Sequence, residues 1–234
     1  MNNRFLAVAQ DPAIIPAVHH YCDEWCDYCP VTKRCLAFRC TAEFRKAKGR
    51  RDGDETFANM DEAVQFTRDL AAIEGTSTEE LDELISHPQG ESTIQTSDAL
   101  ALRAWDYAEH VATALISAPG STTNAGRRPA SPDPEEVIAW YHVRIYLKVF
   151  RALVSRDRAN AGSGRGMEDA LGSAKLALVS VQRSRDALAS LRTSANERQV
   201  TALISALDTI ERGIDERFPA ARSFVRIGLD VPVS

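Results

Sequence analysis

Residues 196–217 read NERQVTALISALDTIERGIDER, and in them Val200, Leu203, Leu207, Ile210 and Ile214 recur at intervals of three and four. An α-helix advances about 100° per residue, so these side chains share one stripe and predict a helix buried along a single seam. The stripe holds no group suited to chemistry; it packs. The same recurrence returns upstream in three more long segments. Asp98–Ser117 is closed by Ala118-Pro119-Gly120; a second runs from the cap Asp133-Pro134 to about Arg158, and a third spans Glu168 to Arg192.

Shorter signals precede these. Asn59 with Glu62, and Ser77 with Glu80, have the spacing of a capping box and predict a medium and a short helix. Asp11-Pro12 predicts a helix start that carries toward Cys26, and Thr32 to Lys48 reads as another helix. The charged run Lys48-Gly49-Arg50-Arg51-Asp52-Gly53-Asp54 reads as a linker, and the stretches 118–129 and 159–166 as loops. No alternating strand of useful length occurs. The expected fold is all-α: an antiparallel helical bundle over 55–234, with the Asn59 helix added to it, and an N-terminal Cys-rich segment over 1–48 docked on it. Pro219 ends the last helix, so the tail Phe218–Phe224 is expected to fold back on the bundle.

The 234 residues are 44% hydrophobic and 26% charged, an ordinary globular balance. A net charge of -5 gives no global basic field, which disfavours nucleic acid and anionic membrane as partners. Charged residues interrupt every apolar stretch before the roughly 20 residues that a membrane helix needs. The first sixteen residues lack a basic region followed by an apolar core, so no secretory signal is read and a cytoplasmic location is expected.

All 5 cysteines lie between Cys22 and Cys40, at Cys22, Cys26, Cys29, Cys35 and Cys40, with gaps of 3, 2, 5 and 4 residues. Such crowding staples a fold poorly and surrounds an ion well. Thiolates suit zinc, copper(I) and iron–sulfur clusters. Structural zinc ordinarily uses two Cys-x-x-Cys pairs on a long loop, and here there is one pair with close neighbours; zinc stays open as the alternative to a [4Fe-4S] cluster. The run also fits the radical-SAM spacing formally, but that chemistry uses a β/α barrel and leaves one iron open, whereas Cys35 supplies a fourth sulfur here. A helix from Thr32 would carry Cys40 away from Cys35, so Cys40 reads as a small buried apolar group. Trp25, Tyr28 and Phe38 are expected to shield the centre, and His19 and His20 to sit beside it without ligating.

The segment Cys26-x2-Cys29-Pro30-Val31-x3-Cys35-Leu36 resembles the cluster-binding segment of WhiB-like iron–sulfur regulators. The resemblance spans residues 26–36 and implies that Cys26, Cys29 and Cys35 ligate a [4Fe-4S] cluster, with Cys22 as the available fourth ligand. The family's Gly-Trp turn and basic tail are absent, so its DNA-binding role is not implied.

Projected as helices, Leu102, Trp105, Ala112 and Ile116 share a face that also carries Asp98 and Glu109. His142 falls among Ile138, Ile145, Val149 and Leu153, and Arg185 interrupts the stripe Ala170, Ala174, Ala177, Val181 and Leu188. Buried charge demands a partner, so a shared polar site of Glu109, His142, Arg185 and Asp98 is expected in the bundle, as an ion-pair network or an acid/base pocket. No Glu-x-x-His occurs, which argues against a di-iron carboxylate centre. Asp106 and His110 project away from the stripe and read as solvated. The leading functional expectation is an iron–sulfur protein used in redox sensing or electron transfer with a redox or protein partner. A zinc-stabilised interaction module and an enzyme working in the bundle are the alternatives.

Overall fold

The computed structural model describes residues 3–51, 54–75, 98–113, 131–160 and 166–231. Among them the chain is all-α: α1 (Asn3–Ala9), α2 (Leu36–Ala47), α3 (Met60–Ile73), α4 (Ala99–Val111), α5 (Pro134–Asn160), α6 (Gly166–Ser190) and α7 (Glu197–Arg217), with no strand. No described helix is long and apolar enough to cross a membrane. The helices divide into two compact units. One takes the described residues up to Gly75 together with 225–231; the other runs from Asp98 to Phe224.

In the second unit α4 packs on α5 and α7, and α6 packs on the same two, so four helices close into a ring. Cross-helix partners fix their directions. Tyr141 meets Arg183 while Arg151 meets Asp169, and Arg185 meets Glu211 while Lys175 meets the Arg222 carbonyl, so α5, α6 and α7 run antiparallel. The stripe that opened the sequence reading is at most 6% exposed along its whole length. Phe218 and Ala221 turn back into the same core, as expected of the tail. Helix starts follow their caps: Asp98 Oδ1 accepts the Leu100 and Ala101 N–H groups, and Asp133 Oδ1 accepts that of Glu136.

The face expected to be buried on α4 is not the one that packs. Leu102 and Trp105 are each 44% exposed, and the core takes Leu100, Ala101, Ala104, Tyr107, Ala108 and Val111 instead. Small residues permit closer helix approach than large ones, so the alanines outcompete a more hydrophobic face. Ser117 and the loop 118–129 lie outside the described residues, as do Ser77 and Glu80.

Asp169 clamps α5 to α6: its carboxylate accepts from Arg151 Nε at 3.0 Å and Nη2 at 2.5 Å, and from the Ser155 hydroxyl. Burial alone would raise this carboxyl, but hydrogen bonds from Arg151 and Ser155 outweigh it and hold it below its ordinary 3.8. A depressed folded value contributes stability above the unfolded value and loses it as pH falls through the folded one. Wild type should therefore exceed Asp169→Asn by about 1 kcal/mol near neutral pH, with the gap closing in acid below 3.8. Urea unfolding across that range checks it; a gap constant with pH would remove the carboxylate from the account.

The first unit is built on aromatic packing. Phe5, Val8, Leu36, Cys40, Phe44 and Phe66 form its core, with Phe66 stacked 5.4 Å from Phe5 and 5.5 Å from Phe44. α3 thus belongs with the cysteine-bearing unit, not with the bundle, and the expected division at 1–48 and 55–234 is corrected: Phe57 and Phe66 find their partners in α1 and α2. The Asn59 cap forms as read, accepting from Glu62 N–H at 3.0 Å, while Glu62 reaches back to Ala58 N–H at 2.9 Å.

Two other expectations fail here. The helix from Asp11 toward Cys26 is replaced by turns, with α1 ending earlier at Ala9, because Pro16 removes an N–H and Ile15 pairs with Cys35. The segment from Thr32 is a short 3-10 turn (Thr32–Arg34) and then α2, separated by an extended Cys35. Unread from the sequence, residues 225–231 also join this unit. Gly228, at φ 81°, lies so close that a Cβ would approach Ile15 to 3.0 Å. Leu229 then packs against Ile15, Val18 and Cys35.

Candidate metal centre

Three tight turns bring the cysteines together. Glu24, at φ 58°, reverses the chain after Cys22, whose sulfur accepts the Glu24 N–H at 3.4 Å. A 3-10 turn over Cys26–Tyr28, closed by Tyr28 N–H to the Trp25 carbonyl at 3.1 Å, sets Cys26 and Cys29 close in the chain. The following 3-10 turn ends at Cys35, which is held against Ile15 by the Ile15 N–H bond to the Arg34 carbonyl at 2.9 Å.

Cys22, Cys26, Cys29 and Cys35 line one cavity, walled on its apolar side by Val18, Trp25 and Val31. Trp25 is buried and packs edge-on against Tyr28 at 4.9 Å; Phe38 also lines the cavity but is 39% exposed, so it shields less than Trp25. Cys26 is the exposed member of the four and Cys35 the buried one. Cys40 is elsewhere, 0% exposed in the Phe5–Phe44–Phe66 core.

The four thiols sense one another. Burial, and then the nearness of Cys22, Cys35 and Cys29, pushes the Cys26 thiol up to about 12. Burial raises Cys22 to about 11, opposed by the Glu24 N–H and aided by Asp23 and Cys35. Cys35 is raised by burial too, though the N–H groups at the start of α2, from Ala37 and Phe38, pull it toward the thiolate without completing a cap hydrogen bond. Metal binds thiolates, so a cation entering the cavity would displace protons from the ligating sulfurs. Four sulfurs around one cavity are the donor set of a [4Fe-4S] cluster or a four-thiolate zinc ion; among the described residues no three of them converge within 4.8 Å, as ligation of a single ion would require.

Beside the cavity, His19 and His20 both turn to Glu74, the residue capping the C-terminal end of α3. His19 Nε2 is 3.4 Å from Glu74 Oε1, and His20 Nε2 is 3.1 Å from Oε1 and 3.2 Å from Oε2. Burial raises the Glu74 carboxyl, but the two histidines more than offset it and bring it down to about 2. Sequence reasoning missed Glu74, 54 residues from His20. The signal available was a carboxylate at the C-terminus of a helix, where the macrodipole disfavours it.

The polar site expected in the bundle does not assemble. Asp98 is occupied as a helix cap and lies 3.6 Å from Arg217. Glu109 is exposed, and its carbonyl accepts the Thr113 hydroxyl at 2.9 Å. His142 turns Nδ1 to the Ala139 carbonyl at 2.7 Å, one position off the buried stripe. Arg185 bridges Glu211 and Asp208 on α7. Asp98 and Arg185 find nearer partners on their own or an adjacent helix, and Glu109 faces solvent, so no shared cluster is required. Asp106 and His110 are exposed, as read.

Comparison with protein-family models, with curated proteins and with solved structures finds no match to this chain.

Proposed function

We propose that this protein binds a [4Fe-4S] cluster through Cys22, Cys26, Cys29 and Cys35 and works in redox sensing or electron transfer. The observation that carries the reading is that these four thiols line one cavity while Cys40 is buried in a separate core. The local likeness of residues 26–36 to the WhiB-like cluster segment favours iron–sulfur over zinc. Such a cluster supplies one-electron chemistry at a potential set by its hydrogen bonds and solvent exposure.

The chain's own residues would tune that potential. Glu24 N–H donates to the Cys22 sulfur, and the α2 N–H groups act on Cys35, both favouring the more negative reduced state. Trp25 and Val18, both buried, limit water on the inner side. Exposed Cys26 faces outward, which suits exchange with a redox partner or an oxidant better than a purely structural staple. Five free thiols also suit the reducing cytoplasm, where we place the protein.

Protein purified without oxygen should be brown, with sulfide-to-iron charge-transfer absorption and about four irons and four sulfides per chain, the ratio of the proposed cluster. Colourless protein carrying one zinc per chain would replace this reading with the zinc-stabilised module.

A further inference from the structure

The geometry points to a second metal site, formed by His19, His20 and Glu74, that takes a divalent transition ion of the zinc class. It adjoins the thiol cavity, which His19 also lines, but its donor set includes none of the sulfurs. Its three donor atoms lie within 4.8 Å of one another. In a tetrahedral zinc site with bonds of about 2.0–2.1 Å, neighbouring donors are separated by roughly 3.3 Å. The two imidazole–carboxylate separations, 3.4 Å and 3.1 Å, already match that edge.

The backbone is shaped for this convergence. Adjacent side chains ordinarily diverge, but Ala17 adopts a left-handed φ of 55° and its carbonyl accepts the His20 N–H at 3.0 Å. The turn so made directs both imidazoles to one carboxylate, with their rings edge to face at 4.6 Å. Left-handed backbone is uncommon for a residue with a Cβ and is found where the surroundings enforce it. Glu74 caps the C-terminal end of α3, where the helix presents its carbonyls. A carboxylate there adds negative charge to the negative end of a dipole, and a divalent cation turns that repulsion into attraction.

Two imidazoles and a carboxylate are intermediate donors suited to zinc and its neighbours, unlike the all-sulfur set beside them. Side-chain exposure grades from 15% at His19 through 21% at Glu74 to 43% at His20, so the site is anchored inside and open outside. Three protein ligands with an open outer face leave a position for water or an exogenous ligand.

Cobalt(II), as a coloured substitute for zinc, tests this. It is titrated without oxygen into the full chain stripped of metal, alongside Glu74→Gln and His20→Ala. Wild type should bind one more cobalt than either variant. The additional ion should show the d–d visible bands of tetrahedral cobalt, free of sulfur-to-cobalt charge transfer, and its affinity should fall more than about 100-fold in the variants, beyond the 10- to 100-fold typical of losing a supporting residue. Equal cobalt stoichiometry in all three proteins would overturn the site. So would a lost ion that carried the charge-transfer band, because the histidines would then serve only the thiol cavity. If the charge-transfer band is missing throughout but the His20-dependent ion is present, this site stands and the four-thiol reading falls. His20 is the most exposed of the three, so His20→Ala decides the matter if Glu74→Gln fails to fold.

Discussion

Cys35→Ser should leave the protein unable to retain metal at the thiol cavity, whereas Cys40→Ser should retain it and lose stability instead. Cys35 is 8% exposed, fixed on one side by the Ile15 pairing and on the other by the first turn of α2. A serine oxygen there is a harder, shorter and less acidic donor, and three remaining sulfurs leave one corner of the site open. Cys40 has the opposite surroundings. It is buried in the core that holds Phe5, Leu36, Phe44 and Phe66, and a serine there puts a more polar group into apolar surroundings, at a cost of about 1–3 kcal/mol. Elemental analysis of the two variants, with thermal unfolding of each, separates these outcomes. Metal lost from Cys40→Ser and kept by Cys35→Ser would reverse the assignment.

The two cysteines also show what a sequence can and cannot disclose. The expected helix from Thr32 set Cys40 apart from the other four; that helix begins only at Leu36, yet Cys40 is buried in a different core. Periodicity found α7 because its stripe is made of large residues with polar neighbours. It misplaced α4 because the packed face there is alanine-rich, and hydrophobicity scales weigh Leu102 and Trp105 above Ala101, Ala104 and Ala108. Asp11-Pro12 has the chemistry of a helix start, and Asp11 does bind a nearby N–H, that of Ala13 at 2.9 Å, but Pro16 stops propagation.

What the sequence withheld is long-range. Glu74 reaches His19 and His20 across more than fifty residues, and Leu229 packs on Cys35 from the far end of the chain. Neither has a local signature. Arg185 shows the converse: its place in an apolar stripe suggested a buried functional charge, but Glu211 and Asp208 lie within reach on α7, and a long side chain leaves the stripe to meet them. Interruptions of a stripe by arginine are therefore weak signals of a site when acidic residues face them.

The close approach of α5 and α6 gives the other large effect. Gly166→Ala should destabilise the bundle by about 2–3 kcal/mol, while Gly213→Ala should be nearly neutral. Both glycines are helical and buried; at Gly213, inside its helix, propensity by itself would favour alanine by about 1 kcal/mol, whereas Gly166 is the first residue of α6 and gains less. Their neighbours decide the sign. A Cβ at Gly166 would lie 2.6 Å from the Ser155 carbonyl oxygen, 2.7 Å from the Ala159 nitrogen and 2.9 Å from its Cα, all backbone atoms of α5. To relieve those overlaps, a helix must shift, and the shift opens the hydrogen bonds from Ser155 and Arg151 to Asp169 next to it. At Gly213 the nearest atom is Leu100 Cδ1 at 2.8 Å, the end of a side chain that can rotate at a cost of about 0.5–1.5 kcal/mol, close to what propensity returns. Urea unfolding of both variants, followed by far-ultraviolet circular dichroism, checks the contrast. Equal shifts of the two midpoints would mean that backbone crowding between α5 and α6 does not govern the stability of the bundle.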